Sequence, residues 1–125
     1  MNMRTRILAL ATLLPTLSLS ALAAAGDAKK GKQVFEQTCA SCHGMKGMGD
    51  GPAGAALTPK ARNFAKEKFK FGSTVAALTR TIENGSPGTA MVGWKSTLKP
   101  GQLADVVAYV RTLIPKANLD KPPVK

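Results

Sequence analysis

The chain has 125 residues, 44% hydrophobic and 20% charged, with 18 basic against seven acidic side chains for a formal charge of +11. That length suits one small domain with a limited core, and two cysteines with a single histidine exclude a four-ligand zinc ribbon. The basic excess points towards partners with acidic surfaces.

The N-terminus carries Arg4 and Arg6, an apolar run from Ile7 to Leu22 interrupted by Pro15, and small residues at Ala23, Ala24 and Ala25. This is the pattern of a cleaved secretory leader, 1–25, with cleavage after Ala25 or, as the alternative, Ala23. The apolar run is shorter than the ~20 residues of a spanning helix, so no transmembrane segment is expected after cleavage and the mature chain is expected in the periplasm. The 18 basic residues less Arg4 and Arg6 leave 16 against seven acidic ones, a formal +9. The mature part divides into a domain, 26–115, and a flexible tail, 116–125, in which Pro122 and Pro123 break regular structure.

Asp27 is a suitable N-cap for a first helix from Ala28 to about Thr38, with Gly31, Val34 and Phe35 on one face. Glycine in a helix interior costs about 1 kcal/mol relative to alanine, which suggests that another helix approaches closely at Gly31. This helix leads into Cys39-Ala40-Ser41-Cys42-His43. Two thiols three apart followed by an imidazole form the attachment pattern of c-type haem: each sulfur makes a thioether, and His43 reaches the iron from one face. A redox-active dithiol would sit in a βαβ pattern, which this chain lacks. With haem attached, neither cysteine is left for a structural disulfide.

Glycines and prolines fill residues 44–59, so a loop is expected. It can supply the backbone carbonyl that orients the His43 ring; Pro52 is the leading candidate and Pro59 the alternative. Arg62 is a candidate partner for a haem propionate. The alternation of Lys66, Lys68 and Lys70 with Phe69 and Phe71 suggests aromatic packing near the cofactor beneath solvated lysines, and nucleic-acid binding is not expected of an exported protein.

Ser73 is a candidate cap for a second helix with Val75, Leu78 and Ile82 in its stripe, closed by Asn84-Gly85. The loop from Ser86 to Trp94 follows, and Trp94 is a candidate contact in the haem pocket. Pro100 opens a last helix whose stripe is Leu103, Val106, Val107, Val110, Leu113 and Ile114, with Tyr109 beside it. A second axial ligand is needed and no second histidine exists, so methionine is the candidate. Met45 and Met48 follow His43 too closely to swing round the ring edge, whereas Met91 lies on a Gly/Pro-rich loop 48 residues later.

These residues together resemble a class I, single-haem c-type cytochrome. Gly31 and Phe35 precede CASCH as that family's first-helix glycine and aromatic do, Tyr109 matches the aromatic that crosses them, and Asn84 to Met91 is similar to its axial methionine loop. Asp105 to Leu113 is similar to its closing helix. Val92, where many relatives carry proline, and Lys99, a poor N-cap, depart from the pattern. The resemblance implies an all-α cytochrome c fold, three to four short helices with long loops around one covalent haem c. It also implies His43/Met91 ligation and a one-electron carrier in place of an enzyme, while the lysines that flank the motif and the methionine loop suggest redox partner proteins with an acidic docking surface. The alternatives are the electron-accepting subunit of a periplasmic oxidoreductase complex and a ligand-binding or peroxidatic haem protein.

Overall fold

A computed structural model describes residues 25–120; the expected leader before Ala25 and the last five residues lie outside them. Four α-helices and one 3-10 turn follow in order: α1 Ala28–Thr38, α2 Ala40–His43, α3 Val75–Asn84, α4 Pro100–Leu113 and the turn Lys116–Asn118. No strand occurs among the described residues. The all-α expectation holds, and the helix bounds fall where the apolar periodicity puts them.

Helix α1 starts at Asp27, whose carboxylate accepts the N–H groups of Lys29 at 2.8 Å and Lys30 at 3.3 Å. The Asp27 N–H donates to the Asp105 carboxylate at 2.7 Å, tying the start of α1 to α4. At the crossing, a methyl group on Gly31 would overlap the backbone carbonyl of Asp105 and come within 3.0 Å of Tyr109 Cβ. Glycine is therefore required for the approach of the two helices. Phe35 lies edge-on to Tyr109 with ring centroids 5.3 Å apart, and Val106 and Val107 are fully buried beneath.

Helix α3 packs its Leu78 and Ile82 against the same α4 face, closing a core that also takes in Val34, Phe64, Leu98, Leu103, Val110 and Ile114. It ends at Gly85, whose φ of +81° is open to glycine at no steric cost. Its cap is Thr74, not Ser73: the Thr74 hydroxyl accepts the Ala77 N–H at 3.1 Å. Ser73 is buried and bonded to the C-terminal segment, which leaves its hydroxyl unable to cap.

Lys99 precedes α4 and offers no acceptor; the Gln102 side chain instead accepts the Lys99 N–H at 3.1 Å, and Pro100 occupies the first turn. The flexible tail expected from residue 116 is not found at 116–120. Leu119 packs on the core, and Asp120 hydrogen-bonds Ser73 through both its N–H and its carboxylate. No helix among the described residues is long and apolar enough to cross a membrane.

Candidate functional site

Helix α1 delivers Cys39 at its C-terminal end, and the single turn α2 then carries Cys42 and His43. The N–H groups of Cys42 and His43 donate to the Cys39 carbonyl at 3.2 and 2.9 Å, a tight turn that keeps all three side chains on one side. They face a cavity of about 380 Å³. Its walls include Phe35, Leu57, Phe64, Phe69, Leu78, Ile82 and Val110, and it is also lined by Arg62, Met91 and Trp94. The apolar wall with a few convergent polar and sulfur groups is the usual form of a cofactor site.

Cys39 and Cys42 are not joined in a disulfide. Burial pushes the Cys39 thiol up, while the Thr38 hydroxyl 3.3 Å from its sulfur pulls it down. Burial also lowers His43, and the nearby Arg62 charge adds to this, while the bond to the Arg62 carbonyl opposes it. The Nδ1–H of a neutral His43 donates to that carbonyl at 3.5 Å, the limit of hydrogen-bond reach, which leaves the lone pair on Nε2. The Phe64 ring lies against the imidazole with centroids 4.8 Å apart, and Phe69 lies 5.5 Å beyond Phe64.

Pro52 is a correction. It is exposed and lines a separate open groove with Glu36, Met45, Met48 and Asp50, away from the cavity. The loop around it folds onto the outside of α2, where the Gly51 N–H donates to the Cys42 carbonyl at 3.2 Å and the Ala53 N–H to the Ser41 carbonyl at 2.9 Å. The carbonyl facing His43 is that of Arg62, and no side-chain signal could have found it, because every residue type supplies a carbonyl. Pro59 does line the cavity. The Arg62 guanidinium is already engaged, donating to the Lys68 carbonyl at 2.6 Å and the Glu67 carboxylate at 3.2 Å.

Of the described methionines, Met91 lines the cavity, whereas Met45 and Met48 are 57% and 43% exposed on the groove side. The Met91 loop is fixed from both flanks. The Ser86 N–H donates to the Met91 carbonyl at 3.0 Å, the Met91 N–H to the Thr89 hydroxyl at 3.2 Å, and the Trp94 N–H to the Ile82 carbonyl at 2.8 Å. Trp94 is half-buried and packs on the core from the same loop.

Two thiols, an imidazole with a free lone pair and a thioether around one apolar cavity form a donor set that fits a covalently held iron porphyrin. Among the described residues no three His, Cys, Asp or Glu side chains are grouped to hold a bare metal ion. The cytochrome c family model matches residues 28–113, and the chain belongs to that family. The family carries covalent haem c, and Cys39 and Cys42 stand in its attachment motif.

Cytochrome c-554(547) of Halothiobacillus neapolitanus is 35% identical over 91 residues, 71% of this chain and 99% of that protein. The cbb3-type cytochrome c oxidase subunit FixP of Bradyrhizobium diazoefficiens is 34% identical over 87 residues, 70% of this chain and 28% of the subunit, so the chain spans less than a third of that relative. Among solved structures, the Kuenenia stuttgartiensis reducing HAO-like protein complex Kustc0457/Kustc0458 contains a chain with TM-score 0.69 and 31% identity, over 79% of this chain and 48% of that one.

Proposed function

We propose that Cys39 and Cys42 hold the haem through thioethers, that His43 and Met91 take the two axial positions of its iron, and that the chain works in the periplasm as a one-electron carrier without catalytic activity of its own. The observation that supports this is the convergence of all four side chains on one cavity, from a helix end and from a loop 48 residues further on. When bound, haem c supplies a reversible ferric/ferrous couple. Burial favours the neutral form of His43, whose Nε2 would ligate the iron, and the Arg62 carbonyl lies where it can orient the ring through Nδ1. The apolar wall excludes water, and a thioether opposite imidazole favours a higher potential than a second imidazole would. Were His43 and Met91 both to ligate the iron, no position on it would remain for a substrate.

Met91→Ala tests the assignment. It should abolish the weak long-wavelength charge-transfer band of the oxidised protein, lower the potential and open the iron to carbon monoxide, with the fold retained, while Met45→Ala and Met48→Ala change none of these. A wild-type spectrum in Met91→Ala would place the ligand elsewhere.

Lys60 and Lys70 line the cavity, and exposed Phe71 and Val92 lie at its edge, so the docking face we propose is apolar at the centre, basic around it and suited to an acidic redox partner. Steering of this kind raises association rates by about 10 to 10³ at low salt. Electron-transfer rates that stay flat as ionic strength rises would rule it out. A second reading, the electron-accepting subunit of an oxidoreductase complex, is favoured by the similarity to FixP and to the chain from the Kuenenia complex. Gel filtration of protein extracted from its native source separates the two readings, since a subunit elutes with its complex and a carrier elutes alone.

A further inference from the structure

Ser73 is 1% exposed, and every polar atom it has is satisfied from residues far along the chain. Its N–H donates to the Asp120 carboxylate at 2.6 Å, and its hydroxyl accepts the Asp120 N–H at 2.7 Å while donating to the Asn118 carbonyl at 3.2 Å. Its carbonyl accepts from the Arg111 guanidinium of α4. At the other end of the same loop, the Asn118 side-chain amide donates to the Ala65 carbonyl at 3.2 Å. The C-terminal segment thus grips residues 65–73 at both ends, and between the grips lie Phe69, Lys70 and Phe71, which line the cavity.

We propose that Asp120 is a positioning residue: with Asn118 it clasps the 65–73 loop and so holds in place the groups that orient His43. Two routes lead from the loop to that ring. The Lys68 carbonyl, inside the clasp, accepts from the Arg62 guanidinium, and the Arg62 carbonyl meets His43 Nδ1. Phe69, also inside the clasp, packs against Phe64 with the rings tilted, and Phe64 packs in the same way against His43. Neither route is direct from Asp120, so its effect is carried by the geometry of the loop. Groups in the shell behind a metal ligand fix its orientation and tune the metal, and the apolar shell controls access of water. The part that concerns the iron rests on the proposed ligation by His43; the clasp itself does not.

The test uses haem-loaded protein in three forms: wild type, Asp120→Ala and Asp120→Asn. Asp120 is exposed, so neither variant removes a core side chain. Hydrogen–deuterium exchange read by mass spectrometry should show residues 65–72 exchanging about tenfold faster in Asp120→Ala, with α1 and α4 unchanged. Asp120→Asn keeps an oxygen acceptor for the Ser73 N–H and should restore slow exchange. The midpoint potential should fall in Asp120→Ala, as water reaches the loosened wall, and recover in Asp120→Asn. Wild-type exchange at 65–72 in Asp120→Ala, or faster exchange spread evenly over the chain, overturns the clasp. Faster local exchange with an unmoved potential overturns its positioning role. If the wild-type protein proves to lack covalent haem, the site reading fails on that observation, and the exchange pattern still decides the clasp.

Discussion

The crossing of α1 over α4 and the wall of the cavity are built from different materials. At the crossing, backbone meets backbone: Gly31 lies against the Asp105 carbonyl, Asp27 bonds Asp105, and Phe35, Val106 and Val107 have at most 1% of their surface exposed. The cavity wall is drawn largely from loops, 57–72 and 86–94, whose backbone bonds are turns and single ties and whose apolar side chains include Phe71 and Val92, 48% and 63% exposed. The contacts of the first region are all between protein groups. The second gains much of its apolar burial from what the cavity binds, so the two should respond differently to loss of cofactor and to changes in packing.

The largest effect is expected from removing attachment altogether. A domain of about 100 residues buries a modest fraction of its surface, and here part of the core faces the cofactor. Cys39→Ala/Cys42→Ala protein should have lost most of its helix by circular dichroism and melt without a cooperative transition. Native helix content with a sharp melt would show that the crossing carries the fold by itself.

Gly31→Val attacks the other region. The colliding atom is a backbone carbonyl, which cannot rotate away as a side chain can, so the helices must separate. Overpacking of this kind costs about 1–3 kcal/mol, and a forced backbone shift lies at or above the upper end. At about 4–8 °C per kcal/mol, the midpoint of thermal unfolding should drop by at least ~10 °C with haem still attached. A midpoint within a few degrees of wild type would mean that the crossing is slack.

These contrasts also explain what could be read in advance. The helices announced themselves because their apolar residues recur at helical spacing, and Asp27 was visible as a cap because its side chain does the capping. Cys39, Cys42, His43 and Met91 were chosen by chemical type, and the structure brings them to one cavity. Pro52 misled because the group sought was a backbone carbonyl, which any residue provides, and only the path of the chain decides that Arg62 presents it. Ser73 and Thr74 are both competent caps; the choice falls on Thr74 because Asn118 and Asp120 take the Ser73 hydroxyl, a contact 45 to 47 residues away that local pattern cannot show. The same contact orders the segment 116–120, which composition alone suggested was loose.

Those two neighbours give a finer comparison. Ser73→Ala removes the hydroxyl partner of both the Asp120 N–H and the Asn118 carbonyl at a buried position, and should cost about 1–3 kcal/mol. Thr74→Ala removes one cap bond and should cost about 1 kcal/mol. Denaturant midpoints of the haem-loaded variants check the order, and a larger loss for Thr74→Ala would reverse the assignment of the two roles.

The smallest expected change is a gain. Lys99 holds the N-cap position of α4 but has only donors, so its side chain can satisfy none of the N–H groups of the first turn, and its positive charge sits at the positive end of the helix dipole. Its backbone already has the geometry of a cap, with φ −66° and ψ 152°, so a serine there needs no rearrangement to reach the Gln102 N–H. The Gln102 side chain already accepts the Lys99 N–H, and Lys99→Ser would complete the reciprocal pair of a capping box. The substitution should stabilise the haem-loaded protein by about 0.5–1 kcal/mol, seen as a higher denaturant midpoint at unchanged slope. Because α4 belongs to the crossing and Lys99 does not line the cavity, the spectrum and potential should stay as in wild type. A gain in stability accompanied by a shifted potential would show that the crossing and the cavity wall are coupled more closely than their separate construction implies.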